Sequence, residues 1–220
     1  MNVTSKKLNI LFFITASCYL IALSFTPYYM DFACKVLPIV VLLVLSISHF
    51  EGNKRMLICS ALIASGIGDV LLALPIENSF IFGLGAFLIA QLIYSISFFK
   101  LRAHGKVSKP RIALAIGVVF FAGIMANHIL PETAELLIPV GIYLTVITIM
   151  VLNALLFNMP TSTVVGAFFF IVSDSLLAQS IFKTPVELSA HWVMFTYYAA
   201  QVFIVNGMRE QLSAIKLPNP

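Results

Sequence analysis

Residues 54–75 read KRMLICSALIASGIGDVLLALP, and the fold follows from this stretch. Two basic residues, Lys54 and Arg55, precede an apolar run that ends at Pro75, and the one charge inside the run is Asp69. At about 1.5 Å of rise per residue, a helix of this length covers the roughly 30 Å hydrocarbon core of a bilayer.

The pattern recurs along the chain. Apolar runs long enough to span lie at about 8–26, 32–50, 56–74, 80–99, 111–130, 136–157, 162–182 and 190–208. Short connections with turn residues separate them, among them Pro27, Gly52-Asn53, Pro75, Asn78, Pro110, Pro131, Asn158, Pro160 and Pro185. Nothing between the runs is long enough for a separate soluble domain. The expectation is an all-α membrane protein, residues 1–220 forming one bundle of about eight transmembrane helices. Composition agrees: 60% of residues are hydrophobic and 10% charged, where a soluble domain is about half apolar and a quarter charged.

The first run, from Leu8 to about Phe25, follows Lys6 and Lys7 in the manner of a signal peptide. It shows no small-x-small cleavage site before Pro27, so a retained helix is expected. The three cysteines, Cys18, Cys34 and Cys59, are odd in number and sit in or beside apolar runs. That pattern predicts packing residues and neither disulfides nor a zinc site. His49, His104, His128 and His191 are scattered, and no phosphate loop, dinucleotide fingerprint or zinc-protease motif occurs, so no metal or other cofactor is expected. The net charge of +4 comes without a basic cluster interleaved with aromatics, which argues against a nucleic-acid partner.

Charge placement predicts orientation. With eight spans, eleven of the thirteen Lys and Arg residues fall on one side; Lys35 and Lys183 fall on the other. Asp31, Glu77, Glu132, Glu135 and Glu187 also lie on that second side, against Glu51 and Glu210 on the first. The basic side is expected to be cytoplasmic, with both termini there and the protein in the cell (inner) membrane.

An internal repeat is visible. Gly68-Asp69-Val70-Leu71-Leu72-Ala73 in the third run resembles Ser173-Asp174-Ser175-Leu176-Leu177-Ala178 in the seventh, and each is followed one run later by Ala-Gln, at Ala90-Gln91 and Ala200-Gln201. Four helices per half give both copies one orientation, a parallel repeat of 1–109 and 110–220.

Seven of the nine acidic residues lie in loops or at helix ends; the exceptions are Asp69 and Asp174. A carboxylate at mid-bilayer costs at least about 2.5–3.5 kcal/mol, so one that persists usually faces a cavity and a task. Alternatively, each is hydrogen-bonded and ties helices together. Their equivalent places in the two halves favour a common wet chamber in the outer half of the membrane. Gln91 and Tyr94, then Tyr197 and Gln201, are spaced to share helix faces at similar depth. Tyr143, Asn127, His128 and Lys35 complete the polar set, although a lone Tyr or Gln more often makes an interhelical hydrogen bond and Lys35 can snorkel to the headgroups. Two carboxylates in one apolar chamber resist being ionised together, so the pair is expected to hold one proton at neutral pH. One acid beside one base suits general acid–base hydrolysis of an acid-labile bond.

The segments Gly68-Asp69-x-x-Leu72, Phe82-Gly83…Phe87…Gln91…Tyr94, Ser173-Asp174-x-Leu176-Leu177-Ala178 and Tyr197-Tyr198-x-x-Gln201 together resemble the YhhN-like lysoplasmalogenase family. Lys35 with Pro38, and Tyr143, also fit its pattern, and the resemblance spans nearly the whole chain. It implies hydrolysis of the vinyl ether bond of lysoplasmalogens, giving a fatty aldehyde and glycerophosphoethanolamine or glycerophosphocholine. On that reading Asp69 and Asp174 are catalytic, and Lys35, Gln91, Tyr94, Tyr143, Tyr197 and Gln201 bind substrate and water, with Lys35 offered to the phosphate. Many members carry His where this chain has Gln91, which can hydrogen-bond but not titrate. The partners implied are lysophospholipid substrate, water and the surrounding membrane lipids. A proton-coupled carrier is the other reading, since repeats and intramembrane acids also suit transport.

Overall fold

The computed structural model describes residues 3–103 and 105–216. Eight α-helices dominate, and no strand occurs among the described residues: α1 (Val3–Ala22), α2 (Asp31–His49), α3 (Gly52–Ala73), α4 (Ser79–Lys100), α5 (Lys109–Ile129), α6 (Leu137–Leu156), α7 (Thr161–Phe182) and α8 (Ser189–Lys216). His104 lies outside the described residues. The helices coincide with the apolar runs, except that α8 continues past its run through Arg209 and Glu210 to Lys216.

Local chemistry explains the breaks. Pro75 holds Leu74 in the extended region (φ −81°, ψ 136°), which stops α3. Asn78 and Asn158 take left-handed backbone angles (φ 60° and 53°) in the turns before α4 and α7, a conformation asparagine tolerates better than most residues. Pro110 stands in the first turn of α5, where its missing N–H costs nothing. Carbonyls at helix ends have no helical partner. At the end of α6, the Arg111 guanidinium donates to the carbonyls of Leu155 (3.3 Å) and Met159 (2.7 Å). Beyond the end of α4, the Gln211 amide donates to that of Leu101 (2.9 Å).

Seven helices, α1 to α7, are long and apolar enough to cross a bilayer. α8 is longer, but Tyr197, Tyr198, Gln201 and Asn206 dilute its apolar character. Large apolar side chains such as Phe13, Ile21, Ile116 and Phe120 point outward, as lipid-facing surfaces require. This is a multi-pass membrane protein. Cys18 and Cys34 are also exposed and Cys59 is half-buried, so the expectation that the cysteines pack inside is corrected. The reason is that runs apolar on every side do not reveal which face turns inward.

The chain divides into two compact units between Ile93 and Tyr94. In the first, α1 packs on α2 and α2 on α3. In the second, α5 packs on α6, α6 on α7, and α7 on α8. The division falls inside α4, whereas the sequence repeat divides the chain at 109/110.

Candidate active site

In the first unit, two glycines bring α3 and α4 together. A Cβ at Gly68 would stand 2.7 Å from the Phe87 ring, and one at Gly83 would stand 2.6 Å from Leu72 Cγ. These four residues belong to the motifs quoted above, and close packing explains the glycines. Asp69 follows Gly68 and is only 2% exposed. Its carboxylate Oδ1 lies 3.5 Å from Lys35 Nζ, and the same ammonium donates to the Asp69 carbonyl at 3.3 Å. The sequence reading offers Lys35 to a phosphate; in the structure α2 directs it onto Asp69. Beside this ion pair lies an open apolar hollow of about 360 Å³, bordered by Val36, Ile39, Leu62, Gly66 and Val70. Gln91 stands one turn beyond Phe87 on α4 and is fully buried. Neither its oxygen nor its nitrogen has a hydrogen-bond partner among the described residues.

In the second unit the carboxylate meets a different group. Tyr143 on α6 donates its phenolic proton to Asp174 Oδ2 on α7. Asp174 and Tyr143 border a cavity of about 50 Å³, otherwise lined mainly by apolar side chains including Met125, Ile147 and Ile171. Such a volume holds a few waters at most. Ser173, in the position of Gly68, donates to the Val193 carbonyl at 3.0 Å and ties α7 to α8. Lower on the same pair of helices, a Cβ at Gly166 would lie 2.8 Å from the Ala200 carbonyl oxygen, and one at Gly207 would lie 2.5 Å from the Thr163 nitrogen. The phenol of Tyr94 donates to Gln201 Oε1 at 2.6 Å, both side chains being fully buried. Gln201 Nε2 has no partner among the described residues. Phe170 presents tilted ring contacts to both Tyr94 (6.5 Å between centroids) and Tyr197 (5.7 Å), which gathers the three rings.

The predicted residues thus resolve into local sets: Lys35 with Asp69, Tyr143 with Asp174, and Tyr94 with Gln201 and, through Phe170, Tyr197. Gln91 stands apart from them with its amide unspent. Sequence reading passed over a polar line on α7. Ser175, Gln179 and Lys183 recur every four residues, a spacing that places them on one face and could have been read directly. Ser175 borders the Asp174 cavity. Gln179 Oε1 accepts from His128 Nε2 at 2.8 Å, and Lys183 Nζ lies 2.6 Å from Glu132 Oε1.

Comparison with known proteins bears on the same residues. The family model described as YhhN matches residues 30–208, which contain every residue of the sets above. A Mycobacterium bovis protein called lysoplasmalogenase is 33% identical over 179 residues, covering 80% of this chain and 69% of the relative. Human lysoplasmalogenase TMEM86B is 31% identical over 171 residues, covering 77% of this chain and 68% of the relative. Bovine lysoplasmalogenase TMEM86A is 28% identical over 228 aligned positions, covering 94% and 89%. No solved structure matches the chain.

Proposed function

The chain belongs to the YhhN family, and from that membership we propose that it is a lysoplasmalogenase, a membrane hydrolase that cleaves the vinyl ether bond of lysoplasmalogens. Similarity to three proteins of that name over most of this chain supports the reaction class. The observation that carries the mechanism is the unlike pair of acids. Asp69 is matched with an ammonium and Asp174 with a phenol beside a small cavity.

The roles follow from those partners. Lys35 pairs with an ionised Asp69, which suits an anion facing a developing cation and then accepting a proton. Asp174 accepts a neutral hydrogen bond from the Tyr143 phenol, which suits a carboxyl group that carries and delivers a proton. The proton moves from Asp174 to the vinyl carbon β to the ether oxygen, and the C=C electron pair forms the new C–H bond. The cation left behind is an oxocarbenium ion, stabilised by the Asp69 carboxylate. Water adds to its carbon and gives up a proton to Asp69, forming a hemiacetal. Collapse of the hemiacetal transfers the hydroxyl proton to the departing glycerol oxygen and releases aldehyde. Asp69 then gives its proton to water and Asp174 takes one from water, which restores the resting state.

Two amides support the binding roles. A buried amide left unpaired costs about 1–3 kcal/mol, so Gln91 and the free nitrogen of Gln201 are suited to holding substrate or water. Tyr197 and Tyr94 shape the wall beside Gln201, and the apolar hollow beside Asp69 suits an aliphatic chain. We place both termini on the Lys/Arg-rich side with α8 as an eighth crossing, testable by labelling single cysteines near residues 5 and 213 in sealed vesicles. Labelling of the two from opposite sides overturns that topology. For the reaction, purified protein is incubated with a lysoplasmalogen and aldehyde release is measured against a detergent blank. Aldehyde above the blank is expected, and none sinks the hydrolase reading.

A further inference from the structure

The second unit holds another feature that the mechanism leaves unused. Along α5 toward its C-terminal end runs an open groove of about 930 Å³. Met125 gives it an apolar floor and the outward-facing Phe120 and Ile124 an apolar flank, while His128, Glu132 and Lys183 form its rim at one end. We propose that this groove is the headgroup subsite for a zwitterionic glycerophospholipid, with Lys183 and His128 taking the phosphate and Glu132 the headgroup ammonium. The proposal deepens the hydrolase reading and rests on it for the choice of lipid.

Three observations converge on this occupant. The first is charge. The rim carries one cation and one anion, Lys183 and Glu132, paired at 2.6 Å and both accessible, at 26% and 48% exposure. A zwitterionic headgroup carries the same two charges on neighbouring atoms, so it can exchange partners with the pair without leaving either charge alone. A simple anion could satisfy only Lys183 and would meet repulsion from Glu132. The second is polarity by depth: an apolar floor below a charged rim matches a lipid, not free phosphate. The third is continuity with the chemistry. Met125 borders both the groove and the Asp174 cavity. Ser175 and Gln179 on α7, then Lys183 just past its end, lead from that cavity to the rim. From Asp174 to the end of α7 is about 12 Å of helical rise, a span that a glycerophosphate unit and a lysine side chain bridge together.

Gly123 lies in the groove, and a Cβ built there meets nothing within 4 Å; the same holds at Gly117, one and a half turns earlier on α5 and outside the groove. This provides a matched pair of variants, since an added Cβ meets open space at both positions. The test uses the full chain in nanodiscs and two probes: 1-O-alkyl-2-lysoglycerophosphoethanolamine, a saturated ether that has no vinyl group, and the 1-O-alkylglycerol of the same chain length. Binding of each is measured by titration. Wild type is expected to bind the phosphoethanolamine probe more tightly. Lys183→Ala and Glu132→Ala are each expected to weaken that probe about two- to fivefold and to leave the alkylglycerol unchanged. Gly123→Leu is expected to weaken both probes and Gly117→Leu neither. Wild-type affinity in both rim variants, or equal behaviour of the two glycine variants, overturns the subsite. Because the probes are not turned over, the expected binding pattern in a protein that releases no aldehyde from lysoplasmalogen leaves the subsite standing and removes only the hydrolase reading.

Discussion

Each unit places an aspartate on one helix and its partner on the helix before it, yet the two arrangements differ in kind. On α3, Asp69 is 2% exposed and meets the ammonium of Lys35; on α7, Asp174 is half-buried and accepts a hydrogen bond from the phenol of Tyr143. An ammonium favours a charged carboxylate, although Lys35 also donates to the Asp69 carbonyl, while a phenol can serve a carboxyl group in either protonation state. The helix contacts differ as well. Around Gly68 the nearest atoms belong to the Phe87 ring and around Gly83 to the Leu72 side chain, with the Gly68 carbonyl oxygen farther off at 3.4 Å, whereas around Gly166 and Gly207 backbone atoms stand as near as 2.8 and 2.5 Å. On the proposed mechanism the first unit holds a fixed charge in packing that can yield, and the second exchanges a proton in packing that yields less.

The strongest test of this contrast removes the acids. Asp69→Asn and Asp174→Asn are each expected to lower aldehyde release by about 10²–10⁴-fold, measured as kcat on purified protein. Full rate in either variant shows that the two carboxylates do not share the reaction. Next, Lys35→Met leaves Asp69 charged and buried without its cation, and is expected to lower unfolding stability by about 3 kcal/mol. Adding Asp69→Asn to Lys35→Met should recover most of that loss in a double-mutant cycle, which a strictly additive result excludes. Overpacking by one methyl group costs about 1–3 kcal/mol, and the glycines should divide by unit: Gly166→Ala and Gly207→Ala should lower the melting temperature more than Gly68→Ala and Gly83→Ala. The reverse order means that the α7–α8 contact yields more easily than the backbone approach implies. The smallest effect belongs to Tyr143→Phe, expected to cost about 1 kcal/mol, or about fivefold in kcat. If Tyr143→Phe were as damaging as Asp174→Asn, the phenol itself would be the proton donor.

Much of this organisation was legible in the sequence because lipid imposes simple rules. A run such as 56–74 can only be a spanning helix, and a charge within it, such as Asp69, is costly enough to be conspicuous. The partners Lys35 and Tyr143 could be named as polar members of the set but not assigned to their acids, since nothing in the spacing says which helix lies next to which. Gly166 and Gly207 belong to no motif in the sequence, and only the close α7–α8 approach gives them a role. The rim of the groove was missed for another reason: Glu132 and Lys183 fall where charges are common, at helix ends, and only the four-residue step through Ser175 and Gln179 sets Lys183 apart. Cys18 was misjudged because α1 is apolar on every side and carries no sign of its inward face.

The cavity beside Asp174 has a bearing on what can attack the oxocarbenium ion. Room of about 50 Å³ is open beside Asp174, so with the vinyl carbon brought to that acid little space is left there for a second molecule. If attack comes from that side, methanol should compete with water and yield mixed acetals, while a bulky alcohol such as tert-butanol should be refused even at high concentration. Product analysis in such mixtures makes the chamber a molecular sieve whose mesh can be read from the acetals it allows to form.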